Sequence, residues 1–299
     1  MSPAKDGRGL LLGFPDYADP ARNLAAAAGL DYAEIAVHRF PDGESRIRLP
    51  AQLPGRVVIC RSLYQPNHKL IELALAAATA RELGAKHLTL AAPYLCYMRQ
   101  DKAFHPGEAV SQRVVGKFLA SHFDALITVD PHLHRVSRLG DAMPARSAVA
   151  LAATDAMAAY LDGRLDNPLL IGPDAESRQW VAAIARRKRL EFHVAHKERA
   201  GDTDVRVALP EAGYQGRHVV LVDDIASTGR TLEAASRELG KHGPASVTVM
   251  VTHALFISDA LERIRSAGVD EIWSSDSIPH PTNRIKLAET MAQAVRDPV

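Results

Sequence analysis

Val220-Leu221-Val222-Asp223-Asp224-Ile225-Ala226-Ser227-Thr228-Gly229-Arg230-Thr231 reads as an apolar, β-branched strand ending in two adjacent carboxylates. The chain then turns through small hydroxyl residues and a glycine into a helix expected from Thr231 to about Leu239. Small residues let backbone N–H groups approach a phosphate, and the N-terminus of the following helix favours its charge. Adjacent carboxylates accept hydrogen bonds from vicinal hydroxyls. The two together describe a site for ribose 5-phosphate. A strand, two aspartates and a helix also arise where an acidic residue merely caps a helix or closes a turn; the Ser-Thr-Gly that follows favours the phosphate reading.

On either side of this stretch, short β-branched runs alternate with longer alanine- and leucine-rich segments. Strands are expected at Gly9–Gly13, Val57–Arg61, Leu88–Ala92, Ala125–Asp130, Leu169–Gly172, Phe192–Ala195, Val219–Asp223, Val247–Thr252 and Glu271–Ser274. Helices are expected between them, including Lys69–Leu83, Ala109–His122 and Ala148–Leu161, several with apolar residues three and four apart. Such alternation predicts an α/β fold of mainly parallel sheets flanked by helices. Tyr32–Arg39 and Ser45–Leu49 read as a hairpin across Pro41-Asp42-Gly43. A segment at Val136–Arg146, with Gly140 and Pro144, divides two halves of similar rhythm, giving expected domains 1–146 and 147–299. Ile285–Val295 reads as a terminal helix.

The chain has 299 residues, 24% of them charged, with a formal net charge of +1. This balance argues against a general nucleic-acid or membrane-surface binder. Cys60 and Cys96 are too few for a disulfide framework and fit a reducing compartment. No apolar run reaches membrane-helix length. A soluble cytoplasmic protein is expected.

Five further segments precede the Asp223–Thr231 loop in order: Phe40-Pro41-Asp42-Gly43-Glu44, Arg99-Gln100-Asp101-Lys102, Asp130-Pro131-His132, Gly172-Pro173-Asp174 and His196-Lys197-Glu198-Arg199. Together they resemble the ribose-phosphate diphosphokinases, or phosphoribosyl diphosphate synthetases, over roughly Leu11 to Leu287. The resemblance implies two phosphoribosyltransferase-type α/β domains. It also implies transfer of the diphosphoryl group of ATP to the 1-hydroxyl of ribose 5-phosphate, with release of AMP. By the same resemblance Lys197, Arg199 and Arg99 are the catalytic cations, and Gly201-Asp202-Thr203-Asp204 belongs to a mobile flap. Phe40, Asp42 and Glu44, with Arg99, Gln100 and Asp101, bind ATP. Asp223 and Asp224 hold the ribose hydroxyls, and Ser227, Thr228, Gly229 and Thr231 hold the 5-phosphate. Mg2+ is the implied cofactor, with His132 and Asp174 as its residues, and no role is assigned to His134. The hairpin of the family reaches a neighbouring subunit's ATP site, so a homo-oligomer, at least a dimer, is expected.

The pattern departs from that of the hexameric, allosteric bacterial members. A longer Ser/Arg-rich segment is replaced here by Ala103-Phe104-His105-Pro106-Gly107-Glu108, and glycines after Asp174 by Glu176 and Ser177. The Ile225–Thr231 loop looks closer to archaeal-type synthetases and to simple phosphoribosyltransferases. Three other readings stay open on the residues alone, one of them a kinase acting on a related sugar phosphate such as ribose 1,5-bisphosphate. A phosphoribosyltransferase would need the Asp223–Thr231 loop but neither the Phe40–Glu44 nor the Arg99–Lys102 motif. A non-catalytic synthetase-associated subunit would not need the retained Lys197, Arg199, His132 and Asp223-Asp224.

Overall fold

A computed structural model describes residues 9–133, 136, 138–199 and 205–297. Chain order in the first half is β1 (Leu10–Gly13), α1 (Ala18–Ala28), β2 (Asp31–Glu34), β3 (Ala36–Arg39), β4 (Ser45–Arg48), β5 (Arg56–Cys60) and α2 (Pro66–Glu82). It continues through β6 (His87–Ala92), α3 (Ser111–His122), β7 (Ala125–Val129), α4 (Leu139–Ala142) and β8 (Ser147–Leu151). Six of these strands form a fully parallel sheet in the order β2-β1-β5-β6-β7-β8. Its central strands are apolar runs because helices cover both faces. Leu12, Ile59 and Leu90 pack with Leu73, Ala76, Ala77 and Ala80 of α2 and Leu119 of α3.

The second half holds α5 (Thr154–Leu161), β9 (Leu169–Gly172), α6 (Arg178–Lys188), β10 (Phe192–Val194), β11 (His196–Arg199) and β12 (Val205–Ala208). Then come β13 (His218–Ala226), α7 (Arg230–Gly240), β14 (Ser246–Ala254), α8 (Ala260–Ser266), β15 (Glu271–Ser275) and β16 (Asn283–Ile285), before a final helix α9 (Ala288–Arg296). Its parallel sheet runs β10-β9-β13-β14-β15-β16. The two sheets therefore have the same plan. Each begins with its second position in the order, crosses to the edge, throws out an antiparallel two-stranded hairpin (β3-β4 or β11-β12), and returns to pair beside its first strand. An α/β fold with two units, each built on a parallel sheet flanked by helices, is thus observed as expected.

Several boundaries differ from the sequence expectation. Tyr32–Arg39 is two strands, not one: β2 pairs with β1, and β3 leaves for the hairpin. Ile35 between them is buried and donates its N–H to the Gly13 carbonyl at 2.9 Å. Ala148–Leu161 begins as strand β8, because pairing with β7 overrides the helix propensity of its alanines. This strand moves the division between the compact units from Arg146 to Ala152. The chain end also changes sides, so that the first unit takes back Leu287 onward and the second is Ala153–Lys286. Helix α9 packs on α1, β7 and β8, burying Met291, Ala292 and Val295. Arg56 is bonded to the Val295 and Arg296 carbonyls, and Arg296 donates to the Ala27 carbonyl at 2.8 Å. Among the described residues, no helix is long and apolar enough to cross a membrane.

Candidate active site

Strand β13 runs past its two carboxylates and ends at Ala226, so Asp223 and Asp224 lie within the paired strand instead of closing it. Ser227 and Thr228 make the turn, Gly229 takes φ 71°, and α7 starts at Arg230. That left-handed conformation is the one glycine adopts without strain. A Cβ on Gly229 would also lie 2.8 Å from the Ile264 Cδ1 atom, so a side chain there would force Ile264 of α8 to shift. The loop is held from outside: Arg263 of α8 donates Nη2–H to the Thr228 carbonyl at 2.6 Å, and its Nε lies 3.1 Å from the Glu233 carboxylate. The Ser227 carbonyl accepts the Ile257 N–H at 3.0 Å. These contacts fix a small cup at the start of a helix of 11 residues.

Beside the cup stands an excess of negative charge. Asp223 keeps some exposed surface, yet its carboxyl is enclosed by protein. Burial pushes its pKa well above the usual carboxylate value, and the charges of Asp224 and then Asp174 raise it further. The group therefore holds a proton over a range in which an exposed aspartate is ionised. A cation, or hydroxyl donors from a ligand, would reverse that preference. Asp174 follows β9 and is itself part of a tight turn: its Oδ1 accepts the N–H groups of Glu176 at 3.1 Å and Ser177 at 3.2 Å. Ser177 is buried and donates its hydroxyl to the Asp174 carbonyl at 2.5 Å, while Glu176 is exposed. Oxygen donors of this kind suit magnesium. Among the described residues no three His, Cys, Asp or Glu side chains form a ready-made metal cluster. Such a cation would rely on substrate oxygens or water for the rest of its shell.

Lys197 and Arg199 lie in β11, their backbones opposite Val207 and Val205 of β12. Their side chains, the flap residues 201–204 and His134 fall outside the described residues.

The remaining predicted residues belong to the first unit. Phe40–Glu44 is the tip of the β3-β4 hairpin, closed by Phe40 N–H to the Glu44 carbonyl at 2.8 Å, with Gly43 at φ 93°. Phe40 is 39% exposed, touching the His38 ring edge-on at 4.7 Å, and Asp42 and Glu44 are exposed. Arg99 is exposed in the loop before α3. Gln100 ties that loop to the helix start, accepting the Ser111 hydroxyl at 2.7 Å and the Gln112 N–H at 3.2 Å. Asp101 is buried and His132 half-buried, after β7. Ala103–Glu108 folds on itself, with Glu108 accepting the Phe104 N–H at 2.7 Å and contacting His105 at 2.6 Å. Arg263 and a buried cluster around Glu72 were not foreseen, because their partners are distant in sequence and no local motif marks them.

Similarity to known proteins follows this division. A family model described as the N-terminal domain of ribose phosphate pyrophosphokinase matches residues 12–122, and one described as a phosphoribosyl transferase domain matches residues 142–277. A ribose-phosphate pyrophosphokinase of Methanopyrus kandleri is 34% identical over 92% of this chain and 94% of its own length. One from Thermococcus kodakarensis is 32% identical over 92% and 95%. The crystal structure of phosphoribosylpyrophosphate synthetase from Mycobacterium smegmatis has the same fold, with a TM-score of 0.81 at 21% identity over 97% of this chain and 98% of that one. Likeness of this extent covers most of both units, and the chain belongs to the ribose-phosphate pyrophosphokinase family.

Proposed function

We propose that this protein makes 5-phosphoribosyl 1-diphosphate from ATP and ribose 5-phosphate. The observation that carries the reading is the preformed cup at Ser227–Gly229 beside the charge-strained Asp223–Asp224 pair. The 1-hydroxyl oxygen bonds to the β-phosphorus, the bond from that phosphorus to the α-phosphate oxygen breaks, AMP leaves, and the hydroxyl proton is released. Ser227, Thr228, Gly229 and Thr231 bind the 5-phosphate, and Asp223 and Asp224 orient the ribose through its hydroxyls. Holding the acceptor this way supplies much of the catalysis, since phosphoryl transfer depends on alignment and charge stabilisation. Lys197, Arg199 and Arg99 offset the negative charge that spreads over the transferring group. Magnesium, when bound, neutralises the triphosphate; Asp174 and His132 are the residues that would hold it.

Phe40, Asp42 and Glu44 bind adenine by stacking and through its polar edge, with Gln100 and Asp101 on the same substrate. Phe40, Asp42 and Glu44 at the hairpin tip are exposed, and Ile71 (60% exposed) and Leu75 (42%) form an apolar pair one turn apart on α2. Both features support an oligomer in which the hairpin serves a neighbouring subunit. Light scattering during size-exclusion chromatography is expected to give at least a dimer; a fully active monomer would refute this arrangement. Cys60 and Cys96 are buried and form no disulfide, which suits a cytoplasmic location.

The deciding assay is a ³¹P NMR time course with ATP, magnesium and ribose 5-phosphate. AMP should appear in step with a new sugar diphosphate. ADP instead would mean an ordinary kinase, and intact ATP with folded protein would favour a phosphoribosyltransferase or a silent subunit.

A further inference from the structure

Topology places β5 and α2 of the first unit where β13 and α7 stand in the second. Where the second unit presents its cup, the first unit is filled by its own side chains. Arg61, immediately after β5, is 1% exposed, with its guanidinium 3.9 Å from the Phe14 ring centre. Its Nε lies 3.1 Å from the Asp16 carboxylate, and Asp16 also pairs with Lys69 at 2.8 Å. Lys69 in turn donates to the Ser62 carbonyl at 2.8 Å and lies 3.7 Å from the centre of the Tyr64 ring. Arg61 Nη2 completes the cluster with an ion pair at 2.6 Å to Glu72, itself 1% exposed on α2. The sheet end that could take a ligand is occupied by a salt-bridged core.

Glu72 has a second set of partners. Its Oε1 accepts Arg39 Nε–H at 3.1 Å and the Ser45 hydroxyl at 2.8 Å. Arg39 and Ser45 face each other across the β3-β4 ladder, and they are the last pair before the Phe40–Glu44 tip. One carboxylate thus clamps both legs of the hairpin at the base of its tip, while the buried guanidinium of Arg61 fixes that carboxylate from behind. Helix α2 and β4 also pack together, so the clamp acts where the two elements already touch.

We infer that Glu72 is a positioning residue for the nucleotide: anchored by Arg61, it sets the angle at which the hairpin presents Phe40, Asp42 and Glu44. The inference rests on the reading above that this hairpin binds ATP. It assigns the first unit's sheet end a mechanical role in place of a ligand-binding one. Losing the clamp leaves the fold of the tip intact but lets it swing, so the effect falls on the ATP site and not on the ribose 5-phosphate cup. Small misplacements of this kind are costly because binding depends on preorganised geometry.

The test uses the full-length oligomer, with two substitutions that cut the clamp from opposite ends. Glu72→Gln keeps the shape but turns an amide toward Arg61. The double variant Arg39→Met/Ser45→Ala removes both hairpin donors and leaves the buried Arg61–Glu72 pair untouched; it decides the matter if Glu72→Gln does not fold. Each is expected to raise KM for ATP by about tenfold, with KM for ribose 5-phosphate within about twofold. Hydrogen exchange should quicken in peptides covering residues 36–48 and stay unchanged in those covering 219–231. Arg39→Lys, which keeps a donor, should recover most of the ATP affinity. Unchanged exchange and unchanged KM for ATP in the double variant would overturn the inference, as would equal rises for both substrates. Phe40→Ala separates the two layers. If it leaves KM for ATP at the parent value, the hairpin is not part of the nucleotide site and the reading above falls. If it raises KM for ATP while the double variant does not, only the role of Glu72 falls.

Discussion

Gly229 concentrates two demands on one residue: a φ of 71° and a neighbouring Ile264 side chain that would have to shift to admit a Cβ. Gly229→Ala would cost about 1–2 kcal/mol from the left-handed backbone alone. The melting temperature is expected to fall by roughly 2–8 °C, and KM for ribose 5-phosphate to rise with KM for ATP unchanged. A variant with parental melting and parental KM would show that the cup tolerates another shape. The turn of this loop was legible in the sequence, because small residues and a glycine after an apolar strand favour a tight turn. The support beneath it was not. Arg263 reaches the Thr228 carbonyl across 35 positions, and an arginine in a surface helix carries no sign of such a partner.

The hairpin and helix α2 meet at a carboxylate whose ionisation reports on their union. Burial alone would raise the pKa of Glu72, but hydrogen bonds from Arg39, Ser45 and Arg61, together with the Arg61 charge, outweigh it and bring the value from 4.5 to about 2. A depressed carboxylate pKa stabilises the fold above the unfolded value, here near 4.5, and that contribution is lost as pH falls through about 2. At 1.36 kcal/mol per pH unit the difference amounts to about 3 kcal/mol. Urea titrations from pH 6 down to pH 2 should show the stability gap between the parent and Glu72→Gln closing by roughly that amount; a constant gap would mean that Glu72 has the same pKa folded and unfolded. Elements differ in how openly the sequence declares them. Leu169–Gly172 announces a buried parallel strand, whereas Ser147–Leu151 is alanine-rich and becomes a strand only because β7 offers it a ladder. The Asp16–Arg61–Glu72 cluster draws on three separate stretches of chain, so no short window of sequence contains it.

At the scale of the molecule, the repeated sheet plan was visible as a rhythm but not as a register, since two halves can share a topology without sharing residues. Helix α9 was legible as an element but not in its placement: it follows the second unit and completes the first. Ending the chain at Leu287 should leave α1, β7 and β8 uncovered. Loss of the buried Met291 and Val295 faces is worth more than about 3 kcal/mol. Hydrogen exchange on such a truncated protein is expected to speed up across the first sheet while peptides of β13 and β14 keep their protection; uniform protection in both would show the helix to be dispensable.

That discontinuity bears on how the protein is born. Between Ala152 and the return at Leu287 lies the whole of the second unit, which a ribosome takes on the order of ten seconds to make. The half synthesised first must wait, its helix-binding groove bare, while the half synthesised later has all its strands in hand. Maturation therefore runs against the direction of translation, and the nascent amino-terminal half is the stage at which a chaperone has most to cover.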